Sequence, residues 1–206
     1  TPYHADFSFG TGNYTIEAWI YPNALSGNHL IVDTYASGDN GSYQLYWRST
    51  GSSIAFYTVG DSVFLQDPSS ATIDVNNWNH IAVTRDGTTA RLFVNGKLVD
   101  SATNSRDMTH DNTLCIGAQH STGTNYFNGY ISDVRILKGT ALYTSAFTPP
   151  TSALTNIPGT SILTCNEKPN IYDASKGNRV TLGGTAKSST AQKKKASSSM
   201  LFDGNS

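Results

Sequence analysis

Residues 78–99, WNHIAVTRDGTTARLFVNGKLV, decide the fold class. Three runs rich in β-branched and aromatic side chains (78–85, 89–94 and 97–99) are separated by Asp86-Gly87 and Asn95-Gly96. Such dipeptides supply the positive φ that a two-residue primed turn needs, and primed turns match the right-handed twist of paired strands. Two of these signals nine residues apart predict an antiparallel three-stranded meander. Nothing in the stretch pairs a nucleophile with a base, so it speaks for fold before chemistry.

The same pattern repeats outward in both directions. On the N-terminal side, 14–21 (YTIEAWIY) places Ile16, Ala18 and Ile20 on one face and Thr15, Glu17, Trp19 and Tyr21 on the other. Large side chains on both faces predict a central strand. Runs at 29–34, 43–48, 53–58 and, more weakly, 63–65 follow, with polar turns between them. On the C-terminal side come 113–118, the long run 127–137, one possible helical turn at 138–143 and an extended exit through Phe147-Thr-Pro-Pro150. Short strands at regular spacing without an amphipathic helix predict an all-β antiparallel sandwich with little or no helix.

Composition narrows the function classes. The formal net charge of −1 and the 14% of charged residues argue against binding nucleic acid by counterion release. No apolar run approaches the roughly 20 residues of a membrane-spanning helix, so no membrane insertion is expected. Thr1 opens in mid-domain, without a signal-peptide pattern. Cys115 and Cys165 sit in apolar runs and read as small buried hydrophobes; two cysteines do not make a disulfide framework, so they do not report the compartment.

Past Thr151 the character changes. The runs 160–165 and 179–182 read as strands, 183–199 is polar with Lys193-Lys194-Lys195, and 200–206 resembles the start of a strand and its turn. The organisation expected is a sandwich over 1–155, added strands over 156–185, a Lys/Ser linker over 186–198 and a strand over 199–206. A solvated tether is the default reading of the lysine run.

The segments NYTIEAWIYP, WNHIAVTRDGTTARLFVNGKLV, LCIGA and YFNGYISDVRILKGTALYTSAFTPPTSALT, in that order, resemble the laminin-G-like, concanavalin A-like jelly rolls. The likeness covers about residues 5–155 and is strongest with the domains carried by bacteriophage tail and fibre proteins. It implies a virion or extracellular setting, surface glycans as ligands, and other copies or tandem sister domains as partners. In that family an S-x-x-FDG-x strand opens the domain just before a segment like TPYHADFSFG. Here the matching stretch, SMLFDGNS, stands at residues 199–206. Three readings follow: the strand folds back in cis, it complements a neighbouring copy through Met200, Leu201 and Phe202, or the chain is an excerpt of a tandem array.

Jelly-roll glycosidases carry alternating acids, E-x-D-x-E, on one strand so that two carboxyls face one cleft. No such pattern exists here, and Glu17 and Asp133 stand alone on their strands. A non-enzymatic module is expected, with no catalytic residues. The resemblance implies a rim site in loops 37–42 and 105–112, with Asp39, Asn40, Asp107, His110 and Asp111 as contacts and His120, Asn125 and Tyr126 lining the same rim. Calcium would fall to Asp39 and Asp111; the competing reading makes these residues turn formers. His80 is read as structural, and Trp19, Trp47 and Trp78 as core.

Overall fold

The computed structural model describes residues 1–60, 64–67, 73–119, 122, 124–166 and 173–205. Thirteen strands are described, with one 3-10 turn at Ala5–Phe7 and no α-helix among the described residues. In chain order they are β1 (Tyr14–Pro22), β2 (His29–Asp33), β3 (Tyr43–Arg48), β4 (Ser53–Thr58), β5 (Phe64–Gln66), β6 (Asn79–Asp86) and β7 (Thr89–Val94). Then come β8 (Lys97–Thr103), β9 (Cys115–Ile116), β10 (Asn128–Lys138), β11 (Thr160–Thr164), β12 (Lys187–Ser189) and β13 (Ser199–Asp203).

Two antiparallel sheets form the sandwich. The larger runs β12-β13-β10-β1-β6-β7-β8, with β11 also on β10; the smaller runs β5-β4-β3-β2-β9. The meander is present as β6, β7 and β8. Its second turn has positive φ at both Asn95 and Gly96, as a type I′ turn requires. Its first turn sits one residue later than expected. Asp86 pairs with Thr89, so Gly87-Thr88 form the loop, with positive φ at Gly87 alone.

Strand β1 is central, between β6 and β10. Ile16, Ala18 and Ile20 enter the core between the sheets, where Tyr14, Tyr43, Leu45, Trp47, Phe56, Val83, Leu92 and Phe127 meet them. The opposite face of the larger sheet is also largely covered. The 139–155 segment lies across it: Thr84 Oγ1 donates to Tyr143 O at 2.7 Å, and Thr15 Oγ1 donates to Thr140 O at 2.9 Å. Tyr143 and Phe147 stack at 3.6 Å beside Phe93. No helical turn forms at 138–143, because those backbone groups are drawn down onto β1 and β6 instead.

The free edge of β10 is shared end to end. Residues 128–131 pair with β13 and 134–137 with β11. Between them the β1–β10 register shifts, and Asp133 takes a positive φ of 52°. Such a bulge bends the strand and lets each half take its own partner. Residues 199–203 therefore lie against their own sandwich, with Met200 and Phe202 in its core and Leu201 on the outer face. The segment expected as a linker is laid on the sheet too. Lys187–Ser189 pair with β13, and Ala196 is buried. The expected strand at 179–182 does not form, although Val180 packs against the core.

Candidate functional site

Loops 37–42 and 105–112 meet at one end of the sandwich. Asn112 Nδ2 donates to Asp39 Oδ2, and Arg106 Nε donates to Asn40 O at 3.0 Å. Gly41 lies so close to the Thr109 backbone that a Cβ there would be 1.9 Å from Thr109 O. Asn40, Asp107 and Asp111 are exposed on this rim, and Asp39 is half-buried.

Arg85 organises the rim from beneath, a role that sequence reading missed. Its side chain is fully buried at the end of β6. Nε donates to Gly12 O at 2.9 Å, Nη1 to Arg106 O at 2.7 Å and Nη2 to Gly10 O at 2.7 Å. The guanidinium also lies 5.2 Å from the Tyr14 ring centroid. A planar fork of donors suits three carbonyls converging from two loops. The available signal was a lone arginine ending the apolar run IAVT just before the turn.

His110 does not belong among the contacts. It is 4% exposed; Nε2 lies 3.0 Å from Phe7 O, and Nδ1 accepts the Asn112 N–H. Burial pushes its pKa below the usual histidine range. It braces the loop from inside.

Asn125 and Tyr126 fall at the opposite end of the sandwich. The chain passes from one end to the other along β2: Cys115 faces Asp33, Ile116 faces Val32, Gly117 N donates to Ile31 O, and Leu30 N donates to Asn125 O. The expectation of one shared rim fails because residues 115–117 descend along β2 from Asp33 to Ile31, between the two loops. Asn125 Nδ2 donates to Gln119 Oε1 at 2.6 Å. Tyr126 lines an apolar cavity of about 490 Å³ between β9 and the β11–β13 edge. His120 lies outside the described residues.

Of the two carboxylates named for calcium, Asp39 is already engaged. Asp39 Oδ1 accepts the Gly41 N–H of its own loop, and Oδ2 accepts from Asn112 Nδ2 of the 105–112 loop. Among the described residues no three His, Cys, Asp or Glu side chains converge as metal ligands. These residues do not fit a calcium site.

The two buried carboxylates on the larger sheet, Glu17 and Asp133, are equally committed. Glu17 is fully buried: Oε1 accepts from Arg135 Nε at 2.8 Å, and Oε2 from Tyr143 Oη at 2.9 Å and His80 Nε2 at 3.1 Å. Burial alone would raise its pKa, but the His80 hydrogen bond and the Arg135 charge outweigh it and hold the carboxyl below the usual range. Asp133 is also fully buried, accepting Leu154 N–H and Ser132 Oγ–H, with its pKa raised by burial. Neither carboxyl meets a cleft where a sugar and a water would stand. Cys115 and Cys165 are free thiols, and burial pushes Cys165 up to about 12.

One surface went unread in the sequence. Trp78 is half-buried beside Tyr21 and makes no part of the core between the sheets. Trp19 is buried, but on the outer face, under Lys194. Of the three tryptophans, Trp47 alone joins that core.

The chain is similar in structure to several solved proteins. It resembles a Bacteroides ovatus protein named "putative carbohydrate binding protein" (TM-score 0.63, 19% identity, 80% of this chain and 50% of that one). It resembles domains LG4-5 of the mouse laminin alpha1 chain (0.52, 11%, 71% and 43%). It also resembles the CBM40 of a Ruminococcus gnavus sialidase bound to sialyllactose (0.52, 16%, 65% and 79%). The chain thus spans half the length of the Bacteroides protein and less of the laminin fragment. No curated protein matches it in sequence. A family model described as the concanavalin A-like lectin/glucanases superfamily matches residues 3–143. With the two-sheet sandwich and the β6-β7-β8 meander in its larger sheet, that match places the chain in the laminin-G-type branch of this superfamily.

Proposed function

We propose that the chain is a non-enzymatic carbohydrate-binding and structural module of a virion or other extracellular assembly, and that its rim presents Asn40, Asp107 and Asp111 to a surface glycan. One observation carries this reading: two polar loops, remote in sequence, are locked together over the buried Arg85 fork, which fixes exposed polar groups in place before a ligand arrives. Preorganisation of this kind lowers the ordering cost of binding. The carbohydrate-binding proteins that share the fold support it. The absence of catalysis is supported by Glu17 and Asp133, both sealed under the 139–155 segment, whereas retaining hydrolysis needs two carboxyls about 5 Å apart facing a common cleft.

The test is a glycan array with wild type and with Asn40→Ala/Asp107→Ala. The expected result is a glycan retained by wild type, lost in the double variant and unaffected by a calcium chelator. Survival of every hit in the double variant overturns the rim assignment, and no hit on the array overturns the glycan reading.

A second reading, a structural subunit joined head to tail, is supported by Met200 and Phe202. These core side chains come from a strand that pairs with β10 only over Asn128–Ile131, so a matching strand from another copy can fill the same place. Deleting 199–206 would then dissolve a polymer into monomers, while a rim binder would keep its ligand.

A further inference from the structure

The outer face of the larger sheet is roofed only in part. The 139–155 segment covers Thr15, Glu17 and Thr84, and Lys194 reaches over Trp19, with Nζ 4.2 Å from the ring centroid. One residue pair further along β1 the cover ends. Tyr21 is opposite Tyr130, Tyr130 is opposite Leu201, and Leu201 is opposite Lys187. Directly opposed residues of antiparallel strands share a face, so these four side chains form one outward row. Trp78 extends it past Tyr21, at 5.6 Å between ring centroids, and Tyr21 meets Tyr130 at 5.8 Å. Tyr21, Trp78, Tyr130 and Leu201 are all half-buried, and Lys187 is exposed. With strands spaced by about 4.8 Å, the row runs on the order of 19 Å across the sheet.

Positive charge borders this row on two sides. Lys187 ends it. Lys193, Lys194 and Lys195 flank it, because Lys194 sits above Trp19 and Trp19 shares the outer face of β1 with Tyr21. Lys193 and Lys195 are exposed. The neighbouring carboxylate, Asp203, is turned to Thr185 Oγ1 and the Asn205 N–H. A paired amide, Asn23 with Asn128, lies beside Tyr21 and Tyr130.

We propose that this row is a second binding surface, for an acidic polysaccharide of hexuronate units. Aromatic rings give the apolar C–H faces of sugar rings a surface to lie on, and their polar tips stay wet. The lysines on both borders receive the carboxylates, and the amides offer hydrogen bonds to hydroxyls. The occupant is a chain rather than a single sugar, since the row is several residues long and charged at separate points. A polynucleotide fits less well: its phosphates need a basic groove along the whole track, and here the cations stand only at the borders. The proposal shares the carbohydrate class with the rim reading but uses different residues.

Affinity electrophoresis of the full chain in polygalacturonate, with dextran as the neutral polymer and a poly-dT oligonucleotide as a competing polyanion, tests it. Polygalacturonate should retard the wild type, and dextran should not. Tyr21→Ala/Tyr130→Ala should weaken the dissociation constant about tenfold or more, as loss of a central aromatic anchor does. Lys187→Gln/Lys193→Gln/Lys195→Gln should weaken it and flatten its salt dependence. Asn40→Ala/Asp107→Ala should leave it unchanged. Emission of Trp78 reports binding without any substitution in the row: polygalacturonate should shift it, and the shift should vanish in Trp78→Phe. No retardation, retention that survives the tyrosine changes without a Trp78 shift, or equal affinity for poly-dT would overturn the proposal. Loss of array binding in the rim variant together with failure here removes the second surface alone.

Discussion

At Glu17 one carboxylate holds Arg135, Tyr143 and His80 at once, all beneath the 139–155 segment. Replacing it by alanine strands the Arg135 guanidinium in a dry place. The loss should be about 3–5 kcal/mol, read as a lower urea midpoint with an unchanged slope. His110 supplies a pH signature. Burial lowers its pKa, so the folded chain binds that proton more weakly than the unfolded chain, whose histidine titrates near 6.5. Unfolding therefore takes up a proton below that pH, and stability falls as pH drops through 6.5 toward the folded value. Urea midpoints at pH 7.5 and 5.5 should show this drop, and His110→Gln should shrink it. Cys165, at about 12, should resist alkylation at pH 8 until the chain unfolds.

The strands behave as elements that share edges, and β13 is the clearest example. Phe202→Ala removes a ring from the core and should cost about 3–5 kcal/mol. The change should appear in unfolding curves without any shift in sedimentation if the strand stays in cis. Much of this architecture was legible beforehand. The Asn-Gly turn, the two-faced β1 and the long β10 follow from alternation and turn chemistry, which are local. What sequence reading missed is not local. The positive φ of Asp133 splits the β10 edge between two partners, and nothing at that position announces it. For the site, the meeting of loops 37–42 and 105–112 was foreseen. The transfer of Asn125 and Tyr126 to the far end was not, because the direction of a two-residue strand is set by its partner β2. Trp78 looked like core because strand position alone does not say which face is roofed.

Seen whole, the core between the sheets draws on early, middle and late parts of the described chain. Ile162, Met200 and Phe202 enter the same cluster as Ile16 and Val83. Thermal unfolding followed by near-ultraviolet dichroism and by tryptophan emission should therefore give coincident transitions. A separate earlier step for residues 156–205 would contradict the shared core. The two ends of the sandwich and its outer face are then independent places on one rigid body, and substitutions at the rim and in the Tyr21 row should combine additively.

The meander carries two glycines of the same kind with opposite latitude for change. A side chain at Gly87 would meet nothing within 4 Å, whereas one at Gly96 would stand 1.9 Å from the Phe147 carbonyl oxygen. Asparagine tolerates the left-handed backbone that both positions use. Gly87→Asn should therefore be nearly silent, and Gly96→Asn should lift the 139–155 cover from the sheet. In a library selected for folding, the first turn should diversify freely. The second, an exposed hairpin tip by its sequence, should stay as fixed as the core.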